Sequence, residues 1–243
     1  MGMATLSLDV TNIDSISEAR MEVQKLTKGN LDILVNNAGR NCTLPALDVN
    51  IDDARACFET NFFSIILTTQ AFTPFLIASH GLILNIGSIA AIMPYVFGSV
   101  YNASKAALHS FSNTLRLELE PYDVRVLVVV TGGVQSNIAR TKRVLPEGSL
   151  YVDIEEHFTR RVNHSQVGAM PADVYARGVV KEALKSPWRQ KKWLWRGNKS
   201  GLVWFLSNFL GGWVFDLVVP RMFGLDRLRR IVRARTLGLG MGK

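Results

Sequence analysis

The 243 residues and 48% hydrophobic content of the chain suit one α/β domain with a sizeable core and exclude a disordered or fibrous protein. Its two cysteines, Cys42 and Cys57, form no C-x-x-C pair, which excludes a disulfide framework, fits reduced thiols in a cytosol-facing protein and leaves no metal site to expect. The net charge of +8 is uneven: residues 186–243 carry twelve Lys and Arg against Asp216 and Asp226, a local +10 that leaves −2 elsewhere, so no nucleic-acid partner is expected.

Residues 4–10 alternate and end in Asp9-Val10-Thr11, which predicts a strand running into a helix capped at Thr11 or Asn12. Residues 13–26 carry helical spacing. Residues 31–35 form a short apolar run of the kind buried on both faces of a parallel sheet. It ends in Asn36-Asn37-Ala38-Gly39, where small residues let a ligand approach the backbone. A long helical segment follows over about 52–78, with a break expected at Pro74 and Asn61 within it. Taken alone, Asn61 is an ordinary polar residue on a solvated helix face. Residues 82–86 predict the next buried strand, and Gly87-Ser88 stands at its carboxyl end, where open α/β sheets bind ligands.

Residues 99–108 read Ser-Val-Tyr-Asn-Ala-Ser-Lys-Ala-Ala-Leu. Tyr101 and Lys105, four apart, share one helix face, and a nearby ammonium favours the phenolate, so the pair suits proton exchange with an alcohol or ketone. Alone this is an unremarkable helix face. Preceded in order by Asn36 to Gly39, Asn61 and Ser88, it resembles the short-chain dehydrogenase/reductase family. The resemblance implies a doubly wound parallel Rossmann-type sheet and a catalytic tetrad of Asn61, Ser88, Tyr101 and Lys105. It further implies that Asp9 meets the adenine of a nicotinamide cofactor and that Asn37, Ala38, Gly39, Tyr101 and Lys105 adjoin that cofactor. Tyr101 would donate the proton and Ser88 would hold the ketone oxygen. Lys105 would lower the tyrosine pKa and hold the ribose, and Asn61, from a local departure in helix geometry, would hold a water leading to Lys105.

The Tyr101 helix is expected to run to about residue 120, closed by Pro121. Residues 124–130 predict a third buried strand leading into Thr131-Gly132-Gly133-Val134-Gln135-Ser136. This is similar to the family's Pro-Gly-x-Val-x-Thr segment, with Thr131 for Pro and Ser136 for Thr, and implies Val134 and Ser136 as cofactor contacts. Residues 137–170 are polar and weakly periodic, as a substrate-covering segment would be. Arg140, Lys142 and Arg143 lie close together there, either as a solvated basic run or as holders of a substrate phosphate. Residues 171–184 predict a helix and 193–195 a last strand.

Residues 201–219 are almost wholly apolar and near the length of a membrane span, although Gly211-Gly212 and Asp216 interrupt them. Leu225, Leu228, Ile231 and Val232 then share a face opposite Arg227, Arg229, Arg230 and Arg233, as in a helix lying in a membrane interface. The expected organisation is an enzyme domain over 1–200 and a membrane-associating tail over 201–243, the alternative being that the apolar piece packs on the sheet or on a second subunit.

The family's glycine-rich Thr-Gly-x-x-x-Gly-x-Gly turn is missing from the sequence. The resemblance, over residues 4–196, therefore implies a sheet lacking its first two strands, an N-terminally truncated domain, and it removes the residue that chooses between NADP(H) and NAD(H). Within the family the runs at 37–41, 94–105 and 131–134 are most similar to fungal NADPH-dependent 1-acyldihydroxyacetone-phosphate reductases. That implies reduction of a lipid-like ketone to lysophosphatidic acid, for phosphatidic acid synthesis, on the cytosolic face of endoplasmic reticulum and lipid droplets, with homo-oligomers possible. A retinol or hydroxysteroid dehydrogenase, or an inactive membrane-associated fragment, are the alternatives.

Overall fold

The structure is a computed structural model that describes residues 3–139 and 143–238. Four strands, β1 (Ile33–Asn36), β2 (Leu82–Ile86), β3 (Arg125–Thr131) and β4 (Trp193–Arg196), form one parallel sheet in the order β1-β2-β3-β4. Their registers align Asn36 with Asn85, Ile86 with Val129 and Thr131 with Arg196, so all carboxyl ends open on the same edge.

Helices cover both faces of the sheet, which is why its strands are apolar throughout rather than alternating. Leu82, Leu84, Leu127 and Val129 point to α6 (Ala172–Ala183), where they pack on Val179 and Ala183. Ile83 and Val126 point the other way, to Leu76 of α3 (Ser64–Ser79) and Leu115 of α4 (Ser99–Glu118). Helix α1 (Ile13–Thr27), capped by Asn12, packs Ile16 and Ala19 on Phe72 and Phe75 of α3.

A further core lies beyond the carboxyl edge. Helix α5 (Glu155–Asn163), α7 (Ser200–Phe205) and α8 (Trp213–Met222) bring Phe158, Val162, Val203, Phe215 and Val219 together with Phe97 and Phe223. Helix α9 (Leu225–Thr236) is tied to the body by a two-pronged pair from Arg235 to Asp153, at 2.7 and 2.8 Å, and by Arg227 to Glu156.

Two expectations are corrected. Residues 4–10 pair with no strand among the described residues, because no neighbour lies alongside to accept their hydrogen bonds. Pro74 does not break its helix: α3 continues through it, held by Phe72, Phe75 and Leu76 in the core on either side. The apolar run at 201–219 is interrupted, as expected, at Gly211: α7 runs into a wide helical turn, Leu206–Leu210, which stops at Gly211 with φ of +82°, and α8 follows. The inner face of the run shares a core with residues 44–162 instead of standing apart. The helical stretch Ile51–Ser79 does pass the length and hydropathy test for a membrane span, but its apolar residues serve the packing on α1, α4 and β1.

Candidate active site

The carboxyl end of β2 is shaped by a buried histidine. A Cβ on Gly87 would stand 2.2 Å from His109 Nε2, so only glycine fits there. His109 Nε2 accepts the Ser88 backbone N–H at 3.2 Å, and burial and the charge of Lys105 push its pKa down to about 4. The neutral ring therefore fixes the turn that presents Ser88. The Ser88 hydroxyl accepts from the Ala90 N–H at 3.1 Å, which leaves its own proton free to donate outward.

Helix α4 supplies Tyr101, Lys105 and His109 at steps of four, one stripe facing the sheet edge. Lys105 is 4% exposed and its Nζ donates to the Ile86 carbonyl at 2.9 Å. With no carboxylate beside it among the described residues, burial lowers its pKa to about 8. Burial raises the Tyr101 pKa, and the groups that pull it back are the Ser88 hydroxyl and the Arg161 guanidinium, while the Lys105 ammonium donates to Ile86. Tyr101 is thus a phenol that keeps its proton.

Asn61 sits in a wide helical turn, Glu59–Phe63, inserted between α2 (Ile51–Phe58) and α3. It is fully buried, accepts the Arg40 N–H at 2.8 Å, and donates to the Arg40 carbonyl at 2.9 Å and to Ser104 Oγ at 3.0 Å. Both bonds to Arg40 clamp the loop that leaves β1. A Cβ on Gly39 would lie 3.6 Å from Asn61 Oδ1 and 3.9 Å from Lys105 Nζ, so the three residues converge. Deeper, Asn36 donates to Asn85, Asn85 to Ser112, and Thr68 to Asn36, a buried chain that locks β1 and β2 to α3 and α4.

Asn37, Ala38, Gly39, Ser88, Tyr101, Lys105, Val134 and Ser136 all line one cavity of about 650 Å³. Gln166 secures the last two, donating to the Val134 carbonyl at 3.3 Å and accepting the Ser136 N–H at 3.2 Å. The opposite wall is apolar and comes from α7, the turn after it and α8: Leu202, Val203, Leu206, Phe215, Val219 and Met222. Lys105, Arg161 and Lys199 are the cations on the lining, and among its described residues there is no Asp or Glu.

Asp9 lies outside this cavity; its carboxylate accepts from the Thr11 N–H and hydroxyl, which holds its pKa below the usual range. Arg143 is likewise outside, paired with Asp53 at 2.7 Å and sharing that carboxylate with Arg40, while Arg140 and Lys142 lie outside the described residues. Sequence reasoning missed His109 and Arg161. The first was readable as the next step of the Tyr101-Lys105 stripe, the second as a charge on an apolar helix face, between Phe158 and Val162.

A proton donor, a hydroxyl to hold an oxygen and a buried amine of pKa about 8 thus meet at the foot of an apolar cavity. This arrangement suits proton delivery to a carbonyl that becomes an alcohol. The sequence profile of a family described as short chain dehydrogenase matches residues 2–144. A short-chain dehydrogenase of Neurospora crassa is 43% identical over 231 residues, covering 94% of this chain and 79% of that protein. The NADPH-dependent 1-acyldihydroxyacetone phosphate reductase of Saccharomyces cerevisiae is 35% identical over 250 residues, 96% of this chain and 83% of that one. Among solved structures, a short chain dehydrogenase from Burkholderia cenocepacia in complex with NADP aligns with a TM-score of 0.67 over 89% of this chain and 80% of that one, at 22% identity, a likeness of fold.

Proposed function

We propose, from the premise that this chain belongs to the short-chain dehydrogenase family of oxidoreductases, that it reduces the ketone of a 1-acyldihydroxyacetone phosphate to lysophosphatidic acid with NADPH. The observation that carries the reading is the cavity of about 650 Å³, which joins the Ser88-Tyr101-Lys105 cluster to an apolar wall of the kind an acyl chain packs on.

The residues at the carboxyl edge fit the nicotinamide half of the cofactor. Asn37, Ala38 and Gly39 leave the end of β1 open, Lys105 reaches the same space, and Val134 and Ser136 offer backbone polar groups. NADPH, when bound, supplies the hydride. The Ser88 hydroxyl holds the ketone oxygen. Tyr101, kept protonated by burial, donates to that oxygen as the alcohol forms. Lys105, titrating near pH 8, takes part in resupplying the proton, and the Asn61 clamp on Arg40 keeps the loop after β1 in place.

The same reading puts the enzyme on the cytosolic face of endoplasmic reticulum and lipid droplets. It is supported by the exposed rings of Trp204, Phe205, Phe209 and Trp213 over residues 204–213, together with the arginines of α9. Flotation with anionic liposomes tests this half: the full chain floats, and a chain carrying Trp204→Ser, Phe209→Ser and Trp213→Ser stays at the bottom. The chemistry is tested by incubating the chain with NADPH and palmitoyl dihydroxyacetone phosphate and identifying the product by mass. Lysophosphatidate is expected. Reduction of a ketosteroid or retinal with the acyl phosphate untouched would overturn the assignment.

A further inference from the structure

A cation is buried in the cavity wall with no opposite charge beside it. Arg161, on the inner face of α5, is 3% exposed. Its Nε–H donates to the Val96 carbonyl at 2.9 Å, and the guanidinium lies 3.4 Å from the centre of the Tyr95 ring. Gly98 makes the room, since a Cβ there would stand 3.0 Å from Arg161 Nη2. These contacts use one of the five N–H donors of the guanidinium. Among the described residues, the guanidinium makes no other hydrogen bond and no ion pair. A carbonyl and a ring face offset only part of the cost of taking a cation out of water, so an anion is the partner this site lacks.

The surroundings say which side the anion comes from. Arg161 lines the same cavity as Ser88, Tyr101 and Lys105. Lys199 and His164 line the same cavity, and burial, aided by the charges of Lys199 and Arg161, pushes the His164 pKa down. Beyond these groups the lining turns apolar, along Leu202, Leu206, Val214 and Val218. Cationic at one end and apolar at the other, the cavity has the polarity of a single-chain amphiphile with an anionic head.

We infer that Arg161, assisted by Lys199, seats the phosphate monoester head of the substrate while its acyl chain lies along α7 and α8. The identity of the head group rests on the proposed reduction of an acyl phosphate; the existence of an anion seat does not. The planar fork of arginine matches two phosphate oxygens at once, and the lysine adds a point charge from the rim. This seat stands where the basic run at 140–143 was expected to act, and Arg143 is already engaged with Asp53.

Calorimetric titration of the 243-residue chain with decanoyl lysophosphatidate and with monodecanoylglycerol tests the seat, since the two share a chain and differ in the phosphate. The phosphate ester is expected to bind at least about tenfold tighter. Arg161→Met should erase that preference and leave the affinity for monodecanoylglycerol within about twofold, as expected for loss of a charge-assisted contact alone. Lys199→Gln, an exposed position, should cut the preference by about threefold and serves if Arg161→Met does not fold. Equal binding of the two amphiphiles by the wild type, or full preference retained in the variants, overturns the seat. Inorganic phosphate binding as tightly as the ester would overturn the lipid head and leave a simple anion site. If the preference is present and sensitive to Arg161 but no ketone is reduced with NADPH, the seat stands and the reductase assignment falls.

Discussion

The two walls of the cavity are built from different kinds of sequence. The sheet-side wall is local: Gly87-Ser88 ends one strand, and Tyr101, Lys105 and His109 follow at helical steps, so spacing along the chain sets the geometry. The far wall is assembled at long range. Phe158 and Val162 of α5, Val203 of α7 and Phe215 and Val219 of α8 meet only because one core gathers them. On the proposed reading, the reacting groups sit on the sheet edge and recognition falls to the helices of the far wall.

The largest effect expected from that division is on the local wall. Tyr101→Phe removes the proton donor and should lower kcat by about a thousandfold, within the range for loss of a positioned acid, with NADPH affinity unchanged by fluorescence titration. A comparable kcat loss from a far-wall substitution would blur the division.

On the far wall, Phe215→Ala empties a site that is 4% exposed and belongs to the core shared by α5, α7 and α8. It should destabilise the chain by about 3–5 kcal/mol in denaturant unfolding and raise KM for long acyl chains far more than it lowers kcat. A variant with native stability would mean that α8 does not hold the wall.

Titration separates the walls again. Lys105 has a folded pKa of about 8 against 10.5 for the free side chain, so between those values the unfolded chain binds more protons at this residue. Wild-type stability should rise with pH across that window relative to Lys105→Met, by on the order of 3 kcal/mol in full. His109, lowered from 6.5 to about 4, works at the acid end in the same sense: stability present above pH 6.5 is lost as pH falls toward 4, and His109→Gln should lack that loss. Unfolding midpoints of each pair at matched pH values provide the check.

The smallest effect belongs to the outer surface of the far wall. Phe209 is 64% and Trp213 60% exposed, and replacing either with Ser should change stability by no more than about 0.5 kcal/mol. A larger loss would show these rings packed rather than presented outward.

The same division explains what was legible in the sequence. Strands β1 to β4, the helix of Tyr101 and the residues of the local wall could be read because apolar runs and i, i+4 spacing are properties of short stretches. Residues 4–10 alternate like a strand, yet a strand exists only where another lies beside it. The aromatic run at 201–219 looked like a span because its composition does not reveal that Val203, Phe215 and Val219 face a core. Lys105 shows the limit even within the local wall: spacing set its place on the helix, whereas the Ile86 carbonyl set the direction of its amine.

The claim that the helices after β4 form the substrate wall is tested most directly by kcat/KM for acyl dihydroxyacetone phosphates of increasing chain length. Each methylene that enters the apolar cavity should raise kcat/KM by roughly fourfold, at about 0.8 kcal/mol per buried CH₂, until the wall is filled, with kcat nearly constant. A kcat/KM that is flat from the shortest chain to the longest would contradict the account, because the acyl group would then lie outside the cavity that α7 and α8 enclose.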